Sequence, residues 1–271
     1  MTALAITTDY LTDRGDATPY LRRIAAAGFT HVHWCHEWNT DHEYGSAEIG
    51  SIQKCFTECG LKLLDLHGSV WKTRRWFATD EAERRAGVAL VRNRIEMTAR
   101  LGGQTVVMHA QPDLLDPLRR SLDELQPVAR QYGIRIAIEN EVQFSVPRQL
   151  LREYQSEFLG LCYDSGHGNI ADRRGLDELA TLTDRLIALH LHDNDGTADQ
   201  HKLPFTGTVD WPRLAQLIAR SSYRQCISLE VVMRHSGIGE ELVFLERAFT
   251  AGMRLAGLIT ATPFDTSRDS R

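Results

Sequence analysis

The sequence predicts an α/β protein, a single (β/α)8 TIM barrel, on three observations. Eight short, apolar and β-branched runs recur along the 271 residues, helical patterns separate them, and ionisable residues follow several of them. Near-continuous apolar strands that alternate with helices indicate a parallel sheet covered by helices. Eight such units in a chain of this length are typical of a closed barrel.

The predicted strands occupy residues 4–8, 29–34, 61–67, 104–110, 134–140, 158–164, 185–193 and 225–232. An open, doubly wound sheet is the alternative, but no GxGxxG sequence follows the first run, so a dinucleotide site lacks support. We therefore assign residues 1–258 to one catalytic barrel domain. The polar, aperiodic segment 259–271 is expected to be a flexible tail.

Start and stop signals mark the helices between these strands. One helix is expected to begin at Thr18 and to stop at Gly28, and Thr79 is expected to cap a second. A third pattern, "DPLRRSLDELQPVARQYG", contains Pro127, which we expect to kink it. A fourth, "DWPRLAQLIARSSY", precedes the last strand.

Composition narrows the class of protein. The net charge of −5 provides no global positive field to hold nucleic acid. Five cysteines without a CxxC pair indicate reduced thiols in a cytoplasmic protein, and Cys55 and Cys59 are expected to serve packing. There is no signal-peptide pattern, and no apolar stretch approaches the ~18 residues of a membrane span.

Histidines and carboxylates gather where the predicted strands end, which is where barrel enzymes carry their catalytic groups. Each one alone has a simpler explanation as a hydrogen-bonded histidine or an ion-paired rim residue. Together, carboxylates this close would raise one another's pKa unless a cation lay between them. Imidazole with carboxylate suits Zn²⁺, Mn²⁺, Fe²⁺ or Co²⁺, so a metal centre is predicted. The residues are His67, His109, Glu139, Asp164, His167, His190, His192, Asp199, His201 and Glu230.

In order and strand placement, these residues resemble the xylose isomerase-like barrels, a superfamily of sugar (phosphate) isomerases and epimerases that also includes endonuclease IV. The markers are "LH" (66–67), "VVMHA" (106–110), "IEN" (138–140), "YDSGH" (163–167), "LHLHDND" (189–195), "DQH" (199–201) and "LE" (229–230). The resemblance implies that Glu139, Asp164, His190 and Glu230 hold the shared metal. It also implies that His167 contacts substrate oxygens.

The endonuclease branch of the superfamily is an alternative, because it uses the same four ligands and adds others for three zinc ions. His67 and His109 match its first additional site, shared with Glu139. His167, Asp199 and His201 match its second. The sequence departs from that branch at Phe205, where a turn glycine is typical.

Three reactions fit such a site. In the isomerase or epimerase favoured here, one Mn, Zn, Co or Mg ion would stabilise an enediolate while Glu139 and Glu230 move the proton, with His167 as a third catalytic residue. An endonuclease IV-like phosphodiesterase would need up to three zinc ions. A lyase or dehydratase acting on a polyol or keto sugar would use the same metal and the same base.

Two aromatic segments are expected to border the barrel mouth. "GSVWKTRRWF" (68–77) interleaves rings with cations, which suits a sugar and its phosphate but also a nucleic acid. "HWCHEWNTDHEY" (33–44) offers His36 and Glu37 as further candidates. Substrate contacts are predicted for Trp34, Trp71, Arg74 and His192. We expect a small carbohydrate as the ligand, with no membrane partner, nucleic acid disfavoured and homo-oligomer formation left open.

Overall fold

A computed structural model describes residues 2–68, 75–110, 114–141, 143–170 and 174–262. Eight parallel strands form one sheet in the order β7-β6-β5-β4-β3-β2-β1-β8. The strands are β1 Leu4–Thr7, β2 His31–Trp34, β3 Lys62–His67, β4 Thr105–Met108, β5 Arg135–Glu139, β6 Leu159–Asp164, β7 Leu186–His190 and β8 Ile227–Leu229. Each lies within a predicted apolar run.

The two edge strands meet at a short seam. Leu191 pairs with Leu229 in a parallel bridge. The Leu191 amide donates to the Ser228 carbonyl at 3.1 Å, and the Glu230 amide donates to the Leu191 carbonyl at 3.1 Å. The sheet is therefore a nearly closed barrel, which confirms the predicted single (β/α)8 architecture.

Nine α-helices lie in the described ranges, and the cap of one of them corrects a prediction. The helices are α1 Thr18–Ala26, α2 Ser46–Cys59, α3 Glu81–Arg100, α4 Leu115–Tyr132, α5 Ser145–Glu153, α6 Ser165–Ile170, α7 Gly175–Ala180, α8 Trp211–Arg220 and α9 Glu241–Ala261. Asp80 rather than Thr79 caps α3, because its Oδ1 accepts the Glu83 amide at 2.8 Å. Pro127 lies inside α4, which continues past it.

The last helix extends past the predicted domain boundary at residue 258. It continues to Ala261, and its buried residues Leu255 and Ala256 belong to the hydrophobic core. Residues 259–261 therefore belong to the barrel's outer layer, while 263–271 lie outside the described residues. None of the helices in the described ranges is long and apolar enough to cross a membrane.

Candidate active site and metal centre

Glu139, the last residue of β5, lies among four imidazoles at the carboxyl end of the barrel. Its Oε2 is 3.0 Å from His190 Nδ1 and 3.3 Å from His109 Nε2. The same oxygen is 3.6 Å from His67 Nε2. Its Oε1 is 3.2 Å from His167 Nδ1, and only 1% of the side chain is exposed. Residues from β3, β4, β5 and β7 are thus brought together because parallel strands end at one face.

Glu230 completes this cluster from the other side of the seam. It follows β8 directly, and its Oε2 lies 3.2 Å from His190 Nδ1. One imidazole nitrogen therefore lies between the carboxylates of Glu139 and Glu230. We call Glu139, His67, His109, His190 and Glu230 the Glu139 group.

A second set of predicted residues forms around two aspartates. Asp164 Oδ2 is 3.0 Å from His192 Nε2. Asp199 Oδ2 is 2.9 Å from His201 Nε2, and its Oδ1 is 3.6 Å from His192 Nε2. The rings of His192 and His201 stack with centroids 4.0 Å apart. Asp164, His192, Asp199 and His201 form the Asp199 group, so Asp164 bonds to His192 rather than within the Glu139 group.

His167 connects the two groups. Its Nδ1 faces Glu139, and its Nε2 lies 3.5 Å from Asp199 Oδ2. Its backbone amide donates to Asp164 Oδ1 at 2.7 Å. The start of α6, which follows β6 directly, therefore directs one imidazole toward carboxylates of both groups.

Several buried lone pairs in the site have no hydrogen-bond partner, which fits a cation ligand set. Within the described ranges these atoms include Glu139 Oε2, both ring nitrogens of His190 and His192 Nδ1. The Glu139 and His190 atoms are close without the alignment of a hydrogen bond. Buried polar atoms are rarely left unpaired. A divalent metal bound among these atoms would give them the partner that they lack.

The two glutamates lie in environments that shift their pKa values in opposite directions. Burial raises the pKa of Glu139, but His190, His109 and His167 outweigh burial and hold that pKa well below its usual range. Burial, followed by the charges of Glu139 and Asp164, raises the pKa of Glu230 well above its usual range. Before a cation is bound, one glutamate therefore favours the charged form and the other the protonated form.

Backbone and small side chains around the "YDSGH" turn hold Asp164 and His192 in place. Asn140 Nδ2 donates to the Asp164 carbonyl at 3.0 Å, and its Oδ1 accepts the Asp164 amide at 2.8 Å. Ser165 Oγ bonds both the amide and the carbonyl of His192, at 2.9 and 2.7 Å. A Cβ at Gly166 would lie 1.9 Å from His192 Cε1, so only glycine fits there.

A cavity of about 460 Å³ opens above both groups. Its walls include Asp9, Tyr10, Leu11, Thr12, Asp13, Trp38, Asn39 and Arg234, and its floor includes His67, His109, Glu139, His167, Asp199, His201 and Glu230. The cavity therefore brings together most of the ligands predicted from the strand ends. It also contains side chains from the loop after β1, which the strand-end argument overlooked.

Trp38 occupies the place predicted for Trp34. The Trp34 side chain is in the hydrophobic core, where its Nε1 donates to Tyr44 Oη at 2.9 Å. Trp38 lines the cavity, with its ring 4.6 Å from that of His67. Trp34 is the last residue of β2, whereas Trp38 lies in the turn that follows, and the sequence of this loop did not distinguish the two tryptophans.

The other aromatic-loop candidates are placed as follows. His36 is buried against Trp34 and Tyr20 and does not appear among the described residues that line the cavity. Trp71 and Arg74 lie outside the described residues. Trp76, in the same loop, is fully buried and donates from Nε1 to the His109 carbonyl at 3.2 Å, so it supports a site residue from beneath.

Comparisons with known proteins show the family to which this fold belongs. The family described as xylose isomerase-like TIM barrel matches residues 21–248. The uncharacterized protein y4fM of Sinorhizobium fredii is 30% identical over 274 residues, which cover 88% of each chain. The uncharacterized protein MJ1311 of Methanocaldococcus jannaschii is 28% identical over 171 residues, which cover 56% of this chain and 58% of the other.

Solved structures share the architecture at low sequence identity. A D-tagatose 3-epimerase-like protein superimposes with a TM-score of 0.76 at 18% identity, covering 96% of this chain and 100% of the other. A D-psicose 3-epimerase gives 0.75 at 19% identity, covering 95% and 99%. At such identities the likeness concerns the fold. With the family match over most of its length, the chain belongs to the xylose isomerase-like TIM barrel family.

Proposed function

We propose that the protein is a divalent-metal-dependent isomerase or epimerase of a sugar or sugar phosphate. The observation that carries the proposal is the convergence of Glu139 and Glu230 on His190 at the floor of a cavity of about 460 Å³. The two carboxylates enter one cleft from different strands, as an acid and base pair requires.

The metal would be held by Glu139, Asp164, His190 and Glu230. When bound, a divalent metal would polarise a substrate carbonyl and acidify the neighbouring C–H bond. The buried, unpaired atoms of Glu139 and His190 supply ligands for it without further desolvation. Asp164 would exchange its bond to His192 for the metal, with Asn140 continuing to hold its backbone.

Proton transfer would fall to the two glutamates. Glu139 comes from β5 and Glu230 follows β8, so they approach the cavity from strands that are three apart when counted across the seam between β7 and β8. One carboxylate oxygen can take a proton from the carbon beside the carbonyl while the other carboxylate returns one from another direction. Return to the opposite face gives an epimer, and return to the neighbouring atom gives an isomer.

Other side chains would orient the substrate. His167 reaches the cavity between Glu139 and Asp199 and can bond a hydroxyl group. The Trp38 ring offers an apolar surface to sugar C–H groups beside His67. Two solved structures of the same fold, named as a D-tagatose 3-epimerase-like protein and a D-psicose 3-epimerase, support a sugar as the substrate.

A deuterium experiment tests this proposal. Protein loaded with Mn²⁺, Co²⁺, Mg²⁺ or Zn²⁺ is incubated in D₂O with D-fructose, D-tagatose and their phosphates, and the products are identified by NMR. We expect an epimer or aldose carrying one solvent-derived deuterium beside the carbonyl carbon. A product that has lost water would instead identify a dehydratase. No turnover of any sugar with any of the metals would contradict the proposal.

A second candidate function is a multinuclear metal phosphodiesterase. His67 and His109 lie within 3.6 Å of Glu139 Oε2, and the Asp199 group could hold a further ion. Among the described residues that line the cavity, however, Arg234 is the one Lys or Arg beside several carboxylates. The charge of these described lining residues is one that repels a polyanion. Three zinc ions per chain together with cleavage of abasic DNA would favour this candidate over the isomerase.

A further inference from the structure

His33 and Asp65 form a buried pair beneath the Glu139 group. His33 lies on β2 and Asp65 on β3, and His33 Nδ1 is 2.6 Å from Asp65 Oδ1. Their side chains are 0% and 3% exposed. A carboxylate accepts hydrogen bonds, so this contact places the imidazole proton on Nδ1 and leaves a lone pair on Nε2. A carboxylate behind a histidine is the usual arrangement around a histidine that binds a metal.

The free lone pair of His33 faces the site. Among the described residues, His33 Nε2 has no hydrogen-bond partner, and it lies 3.9 Å from Glu230 Oε1. The other oxygen of Glu230, Oε2, faces His190 Nδ1 at 3.2 Å. The two oxygens of one carboxylate therefore face two different nitrogen atoms, which is the geometry of a bridging carboxylate.

Cys35 provides a third ligand atom. Its Sγ, a ring nitrogen of His33 and a Glu230 oxygen all lie within 4.8 Å of one another. Zinc–ligand bonds are about 2.0–2.3 Å long, so neighbouring ligands of a tetrahedral ion are about 3.3–3.8 Å apart. The His33–Glu230 distance is close to that spacing, and modest side-chain movement would close the rest.

We propose a second cation position within the barrel, formed by His33 Nε2, Cys35 Sγ and Glu230 Oε1, with Asp65 orienting His33. Thiolate with imidazole and carboxylate selects a borderline-soft ion such as Zn²⁺ or Co²⁺. Binding requires the thiolate of Cys35 and the carboxylate of Glu230, so both groups release their protons to solvent as the metal enters. This position differs from the metal of the proposed function and shares only Glu230 with it.

Cobalt titration tests the position directly, because a thiolate bound to Co²⁺ gives a charge-transfer band in the near ultraviolet. We expect the metal-free protein to develop this band and Cys35→Ser to abolish it. Cys162→Ser is the matched control, since Cys162 is equally buried and lies near Glu139 and His190 but outside the proposed ligands. It should retain the band, as should Cys59→Ser on the outer helix α2.

Two further variants keep the test independent of the thiol. His33→Gln should bind one metal fewer per chain in elemental analysis, and Asp65→Asn should lower the affinity of that ion about 10–100-fold. Melting of each metal-free variant checks that it folds. Absence of the band in the parent protein, its persistence in Cys35→Ser, or unchanged stoichiometry in His33→Gln would overturn the proposal.

One variant distinguishes failure of the second cation position from failure of the proposed function. Asp164→Asn removes a ligand of the proposed catalytic metal and none of the second position. We expect this variant to lose sugar turnover and to keep the cobalt–thiolate band. A protein with no sugar activity that still shows a Cys35-dependent band would refute the isomerase and support the second position.

Discussion

Glu139 is the residue around which the site is arranged, since three imidazole nitrogens lie within 3.6 Å of its Oε2. The sequence predicted the members of this group because each follows an apolar run. It could not predict that Asp164 bonds to His192. That partner depends on the register between β6 and β7, which shifts at Leu161/Cys162. His33 and Asp65 were missed because they lie within strands rather than at their ends.

Substitution of either glutamate tests the assignment of the acid and base. Glu139→Gln and Glu230→Gln keep the side-chain shape and remove the proton acceptor. We expect kcat/KM to fall by about 10²–10⁴-fold in steady-state assays. Glu157→Gln, at an exposed position on the outer surface, is the matched control and should leave the rate unchanged. Near-normal activity of both site variants would show that the assignment is wrong.

His192→Ala is expected to weaken the enzyme rather than to abolish turnover. The imidazole contacts Asp164 and stacks on His201, so its loss should lower metal affinity about 10–100-fold. Turnover measured against metal concentration should recover at saturation. His42→Ala, a histidine paired with Glu48 on the outer surface, should behave as the parent. Loss of turnover at saturating metal would assign His192 a direct role in the reaction.

Among the elements, strands were easier to predict than helices. All eight strands lie within predicted runs, because buried parallel strands are continuously apolar. Helix α2 was missed: it begins after Gly45 without a side-chain cap and contains Gly50. Helix α6 spans six residues, Ser165–Ile170, which is too short for a hydrophobic period to be visible.

The turn into α6 allows a prediction about stability. Gly166→Ala would place its Cβ 1.9 Å from His192 Cε1, and overpacking of this kind costs about 1–3 kcal/mol in free energy of unfolding. Urea denaturation measures the change. Gly50→Ala is the control, because its Cβ would meet no atom within 4 Å beyond its chain neighbours and the backbone of its own helix, and alanine favours a helix by about 0.5–1 kcal/mol. Equal stability of the two variants would mean that His192 moves without cost.

For the whole molecule, the barrel was predictable because its strand–helix period repeats eight times. The last helix, α9, continues to Ala261, three residues beyond the predicted boundary, through small and apolar residues. The net charge of −5 is partly concentrated at one face, where buried carboxylates meet. Carboxylates this close repel one another, and a bound cation removes that repulsion. Because the cation binds the folded chain, its binding stabilises the fold.

Metal removal should therefore lower thermal stability. At a free metal concentration 100 times the dissociation constant, binding adds about 2.7 kcal/mol to the free energy of unfolding. For a chain of this size, each kcal/mol lost from the free energy of unfolding lowers Tm by about 2–4 °C. Calorimetry before and after chelation, and again after metal is restored, measures the shift. An unchanged Tm would contradict metal binding to the folded protein.

The seam between β7 and β8 separates His190 from Glu230, with Leu191 joining the strands between them. Closure of the barrel therefore also brings these two proposed metal ligands together. A substitution in the helices packed over this seam could part the two ligands while the other strands stay paired. Such a variant would lose activity before it unfolds. We expect inactive variants with intact secondary structure to carry their substitutions at this seam.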